Sequence, residues 1–339
     1  MNKKTKKISL FILLIIILFI NFYPLPYYVT RPGMAQVLDE IIDVQGGYDE
    51  EGEFMLTTVR MGEANVISYV MAKMKKYYSL EPKNAIRLEN ETDEEYQVRQ
   101  SYYMENSQEN ALQVAFQKAG KEVNVTMNGI YVLSVQEGMP ADGILKPGDR
   151  IVAIDQQNFD SSTGFTNYIQ GKQVGDDISV TFFRNGEKLT RTVAIAELSE
   201  TKKPGIGIVL VEDKDVKTNP EVKINTEQIG GPSAGLMFSL EIYNQLVKED
   251  ITKGYRIAGT GMISSDGTVG PIGGIEQKIV AADREGAEIF FAPNENGAKN
   301  SNYEMAKKTA KDIDTKMKIV PVDTIDDALA YLEKLEAKK

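Results

Sequence analysis

Gly230-Gly231-Pro232-Ser233-Ala234-Gly235 and, 45 positions after its serine, the lysine that ends Gly270-Pro271-Ile272-Gly273-Gly274-Ile275-Glu276-Gln277-Lys278 bracket the stretch on which the reading of this chain depends. Gly-Gly-Pro makes a sharp turn, and Pro232 fixes φ just before the serine. Leu236, Phe238, Leu240, Ile242 and Leu246 then follow helical spacing, which puts Ser233 at a helix N-terminus. Unpaired N–H groups and the positive end of the dipole collect there, ready to stabilise an oxyanion, and Gly235 leaves room for a substrate backbone. Ser233 reads as a nucleophile on these grounds; the plainer alternative is an N-cap. Lys278 lies three residues after Ile275 and four before Ala282 on a second predicted helix, residues 275–285, and so points to its apolar side. Burial there disfavours the ammonium form, and bringing a lysine pKa near 7 takes roughly 4–5 kcal/mol. Lys278 then reads as the base; the alternative is a packed stem whose head reaches water.

Composition narrows the chemistry. The 339 residues hold no His and no Cys, which excludes a Ser-His-Asp triad, a Cys-His dyad and a His-ligated zinc. Hydrolysis with side chains alone leaves Ser or Thr with Lys, or a carboxylate pair. No such pair stands out, and Asp266 reads as a turn residue in Ser265-Asp266-Gly267. No metal and no cofactor is expected. A net charge of −10 offers no basic stripe, so nucleic acid is not an expected partner. No G-x-x-x-x-G-K-[ST] motif occurs in the chain.

The two motifs together resemble the proteolytic domain of the Lon family, a Ser-Lys dyad peptidase fold, from about residue 203 to 339. The resemblance carries the family's serine and lysine onto Ser233 and Lys278. It also carries a threonine 18 residues before the lysine, which orients it, onto Thr260. Many members have Asp-Gly-Pro-Ser where this chain has Gly230. Residues 121–200 resemble a PDZ domain, chiefly through Leu145-Lys146-Pro147-Gly148-Asp149-Arg150-Ile151-Val152-Ala153-Ile154-Asp155. Asn185-Gly186 marks a type I′ hairpin between two strands. PDZ domains add an extended peptide to a sheet edge; the resemblance maps their carboxylate loop onto Asn128, Gly129, Ile130 and Tyr131.

The expected class is α+β, with an N-terminal transmembrane helix and a PDZ-like β-rich domain placed before a Lon-type proteolytic domain. Residues 1–30 read as a cytoplasmic tip and anchor: Lys3, Lys4, Lys6 and Lys7 precede an apolar run, and residues 8–28 reach spanning length with Tyr23, Tyr27 and Tyr28 as an interface belt. That predicts a single-pass cell-membrane protein with its catalytic part outside the cytoplasm; a cleaved signal peptide is the rival, without an evident cleavage site. Residues 31–120 read as a mixed segment. Residues 52–59 form a predicted strand that joins the catalytic domain. Val66, Tyr69, Val70 and Met74 line one face of a predicted helix, and Met61, Met71 and Met74 are expected to fill core. Residues 89–100 read as a charged, solvated stretch and residues 107–119 as a helix. Residues 201–339 make the Lon-like domain, with residues 205–211 starting its sheet.

The expected function is that of the PDZ-containing Lon-like proteases. It is a membrane-anchored, ATP-independent serine endopeptidase that cleaves small secreted or single-span membrane proteins. Protein or peptide substrates and the membrane are its expected partners, with a homo-oligomer left open. The alternative is a catalytically inactive PDZ scaffold that binds peptides, for which Gly230 is the support.

Overall fold

The computed structural model describes residues 22–88, 91–159, 161–199, 201–226 and 229–338. In chain order its strands are β1 Pro24–Val37, β2 Ile42–Val44, β3 Glu53–Asn65, β4 Ser79–Pro82, β5 Val123–Val135, β6 Arg150–Ile154, β7 Asp177–Arg184, β8 Glu187–Ala194, β9 Ala196–Glu197, β10 Pro204–Gly205, β11 Ile208–Thr218, β12 Val222–Ile224, β13 Arg256–Gly259, β14 Met262–Ile263, β15 Val269–Gly270, β16 Ile289–Pro293 and β17 Lys318–Val322. The helices are α1 Val66–Met74, α2 Lys83–Ile86, α3 Asp93–Lys118, α4 Ser162–Gln170, α5 Gly235–Leu246, α6 Ile275–Arg284, α7 Asn302–Asp312 and α8 Ile325–Glu333.

A six-stranded mixed sheet in the order β17-β16-β13-β3-β1-β4 organises the part of the chain that carries Ser233. β3, β13, β16 and β17 run parallel; β1 and β4 add antiparallel. Side-chain alternation divides its two faces. Phe54, Leu56, Ile257 and Phe291 share a core with α5 and α8, while Met55, Ala258 and Phe290 share another with α6 and α7. A sheet covered on both faces needs apolar residues at consecutive positions, which is why Ile289-Phe290-Phe291-Ala292 is buried throughout. The strand predicted over residues 52–59 is the first half of β3, and it pairs with β13.

A second, antiparallel sheet in the order β11-β5-β6-β7-β8 encloses its own core with Phe165 and Ile169 of α4. Asn185 and Gly186 both take positive φ at the β7–β8 turn, as a type I′ hairpin requires. Residues 205–211, expected to start the catalytic sheet, do not: Gly205 ends β10, which pairs with β9, and all of β11, from Ile208, pairs with β5 in this second sheet. An alternating apolar run specifies a strand but not which sheet receives it.

The membrane-spanning helix expected within residues 8–28 is not supported. Among the described residues no helix is long and apolar enough to cross a membrane. The end of the expected span is strand: β1 pairs with β3 and β4, and Tyr28 is buried in that sheet rather than placed in an interface belt. Residues 1–21 lie outside the described residues. The single-pass topology, with a catalytic part outside the cytoplasm, rested on that span and falls with it.

Two further expectations change. α1 turns Ala72 inward and leaves Ile67, Val70, Met71 and Met74 exposed, Met74 by 81%. The methionines, Met61 among them, therefore do not fill core. Periodicity identifies an apolar side, not what it faces. The described part of the charged stretch read over residues 89–100 stays mostly exposed, but from Asp93 it is helix: it opens α3, one helix of 26 residues begun by a Thr92/Glu95 capping box. Its side toward α5 buries Met104, Ala111, Val114, Ala115 and Phe116.

Candidate active site

Ser233 stands two residues before α5, and Thr260 follows directly on the C-terminal end of β13. Lys278 occupies the first turn of α6, on the opposite face of the sheet. Gly274, in the left-handed region at φ 71°, starts that helix, and a Cβ there would meet Val59 Cγ1 at 2.7 Å. Residues from both helical layers thus meet where a parallel strand ends.

Lys278 Nζ lies 2.8 Å from Ser233 Oγ and 2.9 Å from Thr260 Oγ1. Thr260 Oγ1 in turn donates to the Ser233 carbonyl at 2.9 Å, and the Gly261 N–H donates to the same oxygen at 2.9 Å. With its proton committed to that carbonyl, the threonine hydroxyl offers only lone pairs to Lys278, so it can hold the amine without competing for Ser233. Lys278 is 2% exposed and Thr260 is fully buried. Burial pulls the Lys278 ammonium down to about 7, and among the described residues no carboxylate pairs with it to offset this. In the free-amine form the 2.8 Å contact runs from the Ser233 hydroxyl to the Nζ lone pair, as a general base requires. Beside it the first turn of α5 presents N–H groups with no acceptor inside the helix, that of Leu236 being given to the Gly261 carbonyl at 3.1 Å.

These groups open on a cleft of about 620 Å³, lined by Gln36 of β1, Thr57 and Val59 of β3, Gln100 and Met104 of α3, and Gly273. Sequence reasoning missed the contribution of α3. The Gly231 N–H donates to the Gln100 carbonyl at 3.2 Å, and Ser107 Oγ donates to the Pro232 carbonyl at 3.1 Å, so α3 holds both residues ahead of the serine. A Cβ on Gly230 would approach Gln100 Cβ at 3.2 Å. Gln100 therefore occupies the space beside the position where the resembling family often has Asp. The amphipathic pattern of residues 107–119 and the Thr92-x-x-Glu95 capping box both signal this helix; nothing near residue 100 announces a partner at residue 231.

Asn128, Gly129, Ile130 and Tyr131 are placed apart from this cluster. They lie inside β5 rather than in a loop, with Gly129, Ile130 and Tyr131 paired to β11 on one side and Ile130 and Tyr131 to β6 on the other. A Cβ on Gly129 would meet the Ile151 carbonyl oxygen at 2.5 Å, so the glycine serves close strand packing. A peptide cannot add to β5 here, because β11 already occupies that edge.

Two family models match this chain. Residues 104–195 match the PDZ domain family, and residues 200–334 match the family of the Lon protease (S16) C-terminal proteolytic domain. The Lon protease of Metamycoplasma arthritidis is 36% identical over 111 residues, 33% of this chain and 12% of that protein. The peroxisomal Lon protease homolog 2 of Caenorhabditis elegans is 31% identical over 164 residues, 48% of this chain and 20% of that protein. The Lon protease of Aster yellows witches'-broom phytoplasma is 25% identical over 196 residues, 53% of this chain and 23% of that protein. The chain thus spans less than a quarter of the length of these relatives. Among solved structures, the PDZ domain of an SdrC-like protein from Listeria monocytogenes is 36% identical, covering 26% of this chain and 93% of that one at a TM-score of 0.25.

Proposed function

We propose that this chain, a PDZ-containing Lon-like protease of the S16 type, cleaves short or unfolded polypeptides without ATP, using Ser233 as nucleophile and Lys278 as general base. The observation that carries the reading is a buried lysine, its pKa near 7, within hydrogen-bond reach of a serine at a helix N-terminus. The Lys278 amine takes the Ser233 proton as Oγ attacks the peptide carbonyl. N–H groups at the first turn of α5 stabilise the resulting oxyanion. The Lys278 ammonium returns its proton to the leaving amine, and water, deprotonated by the same amine, releases the acyl group from Ser233. Thr260 is the positioning residue that holds Nζ in place. Independence from ATP is supported by the lack of a phosphate-binding loop motif in these residues.

The test is cleavage of β-casein by the full chain with and without ATP, beside Ser233→Ala and Lys278→Ala. Cleavage by wild type alone, equal under both conditions, is expected. Equal cleavage by all three proteins would remove the dyad assignment, and strict dependence on ATP would remove the second half of the proposal.

A further inference from the structure

β11 is the outermost strand of its sheet, so one of its edges has no strand neighbour. Among the described residues no backbone hydrogen bond joins Leu210, Val211 or Glu212 to any element but β5. These residues line a second cleft, of about 740 Å³. α3 and the β14–β15 hairpin form its other walls, with Asn106 and Ser265 among their contributions, and Thr163 of α4 lies at its border. The cleft also includes Gln100 and Pro232, which it shares with the cleft around Ser233. Pro232 is the residue next to the nucleophile, so the two spaces adjoin at the reaction centre.

The second cleft has hydroxyl and amide side chains and a strand edge, and its lining includes no Lys or Arg. Such a surface matches a peptide backbone, which needs a donor or acceptor at every residue and no particular charge. Its one acid is already engaged: Ser162 donates to the Glu212 carboxylate through its N–H at 2.8 Å and its hydroxyl at 2.9 Å, fastening β11 to the start of α4. The edge of β5, where a PDZ domain is expected to take a peptide, is filled by β11, which leaves β11 as the accessible edge beside the reaction centre.

We infer that an unfolded polypeptide cut at Ser233 continues through this second cleft as an extended strand along β11. The PDZ sheet then holds substrate by its outermost strand, and only a substrate long enough to cross Pro232 gains from it. This inference rests on Ser233 as nucleophile, and its test separates the two. Thr163→Trp and Ser265→Trp fill the cleft at exposed positions away from the dyad. In the full chain, each is expected to lower the ratio of kcat/KM for casein to that for a short peptide filling only the Ser233 cleft, by about tenfold, with the loss in KM. In the Ser233→Ala chain, a photo-crosslinking residue at Thr163 or Ser265 is expected to capture casein, and one at Lys299 is not. An unchanged ratio, or capture at Lys299 equal to that at Thr163, overturns the inference. Absence of any cleavage by wild type would overturn the protease reading, while the crosslinks would still report the path of the polypeptide.

Discussion

Lys278 carries the cost of the site. The unfolded chain keeps this lysine protonated up to about pH 10.4, whereas the folded chain holds the proton only up to about 7. The folded state is therefore penalised at neutral pH and recovers stability as pH rises toward the ordinary lysine value. Lys278→Met is expected to lose proteolysis yet gain on the order of 3 kcal/mol at pH 7, and the gain should shrink by pH 10; denaturant midpoints at the two pH values check this. The same shift sets the rate: kcat/KM should rise with pH through about 7 and then level, since below that point Nζ is an ammonium with no lone pair for Ser233. Thr260 acts through the lysine. Thr260→Val leaves Nζ without its second partner and is expected to cost about a hundredfold in kcat. Thr260→Ser, which restores the hydroxyl, should recover most of it and return the pH midpoint to that of wild type.

Helix α5 links the serine to a buried acidic patch. Glu241, fully buried midway along it, accepts from Gln245 and leaves its second oxygen without a partner. Glu50, in the loop before β3, accepts from Asn244 and likewise leaves one buried oxygen unpaired. Burial is the main cause that pushes Glu241 to about 8 and Glu50 to about 7; Asp39 and Asp250, which also face this patch, push the same way. Both carboxyls hold protons in the folded state that the unfolded chain has released, so stability should fall as pH rises from about 5 to about 7, a window below the range where Lys278 gives its opposing slope. Glu241→Gln is expected to flatten that dependence. Gly235, the first residue of α5, packs so tightly that a Cβ would meet Ile263 Cγ2 at 2.5 Å; Gly235→Ala should cost about 1–3 kcal/mol and displace Ser233 from Lys278. The pairing of Ser233 with Lys278 could be read in the sequence because each residue sits beside glycines in a short motif with its own local geometry. The grip of Gln100 and Ser107 on the serine loop could not, since those partners are more than a hundred residues away from it in the chain. For α1 and β11, periodicity predicted the element but left its partner open, because that choice is made by packing between distant segments.

At the scale of the molecule, α3 ties the two sheets together. It packs on α5 and holds the serine loop, while its Asn110 accepts from the buried Lys214 of β11 and donates to the Ile263 carbonyl. Heating should therefore produce one cooperative transition rather than two, and Asn110→Leu, which removes both bonds, should split or broaden it in calorimetry. β11 belongs to the stretch that matches the proteolytic family, yet it completes the sheet of the PDZ stretch. A fragment of residues 104–195 would lose that strand and bare the edge of β5, and such an edge recruits another chain. Light scattering should find that fragment self-associated and residues 104–218 monomeric. Genetic exchange meets the same obstacle: recombination at the apparent seam between the two stretches would deliver a sheet without its last strand, so this pair can be inherited together far more readily than either can be traded alone.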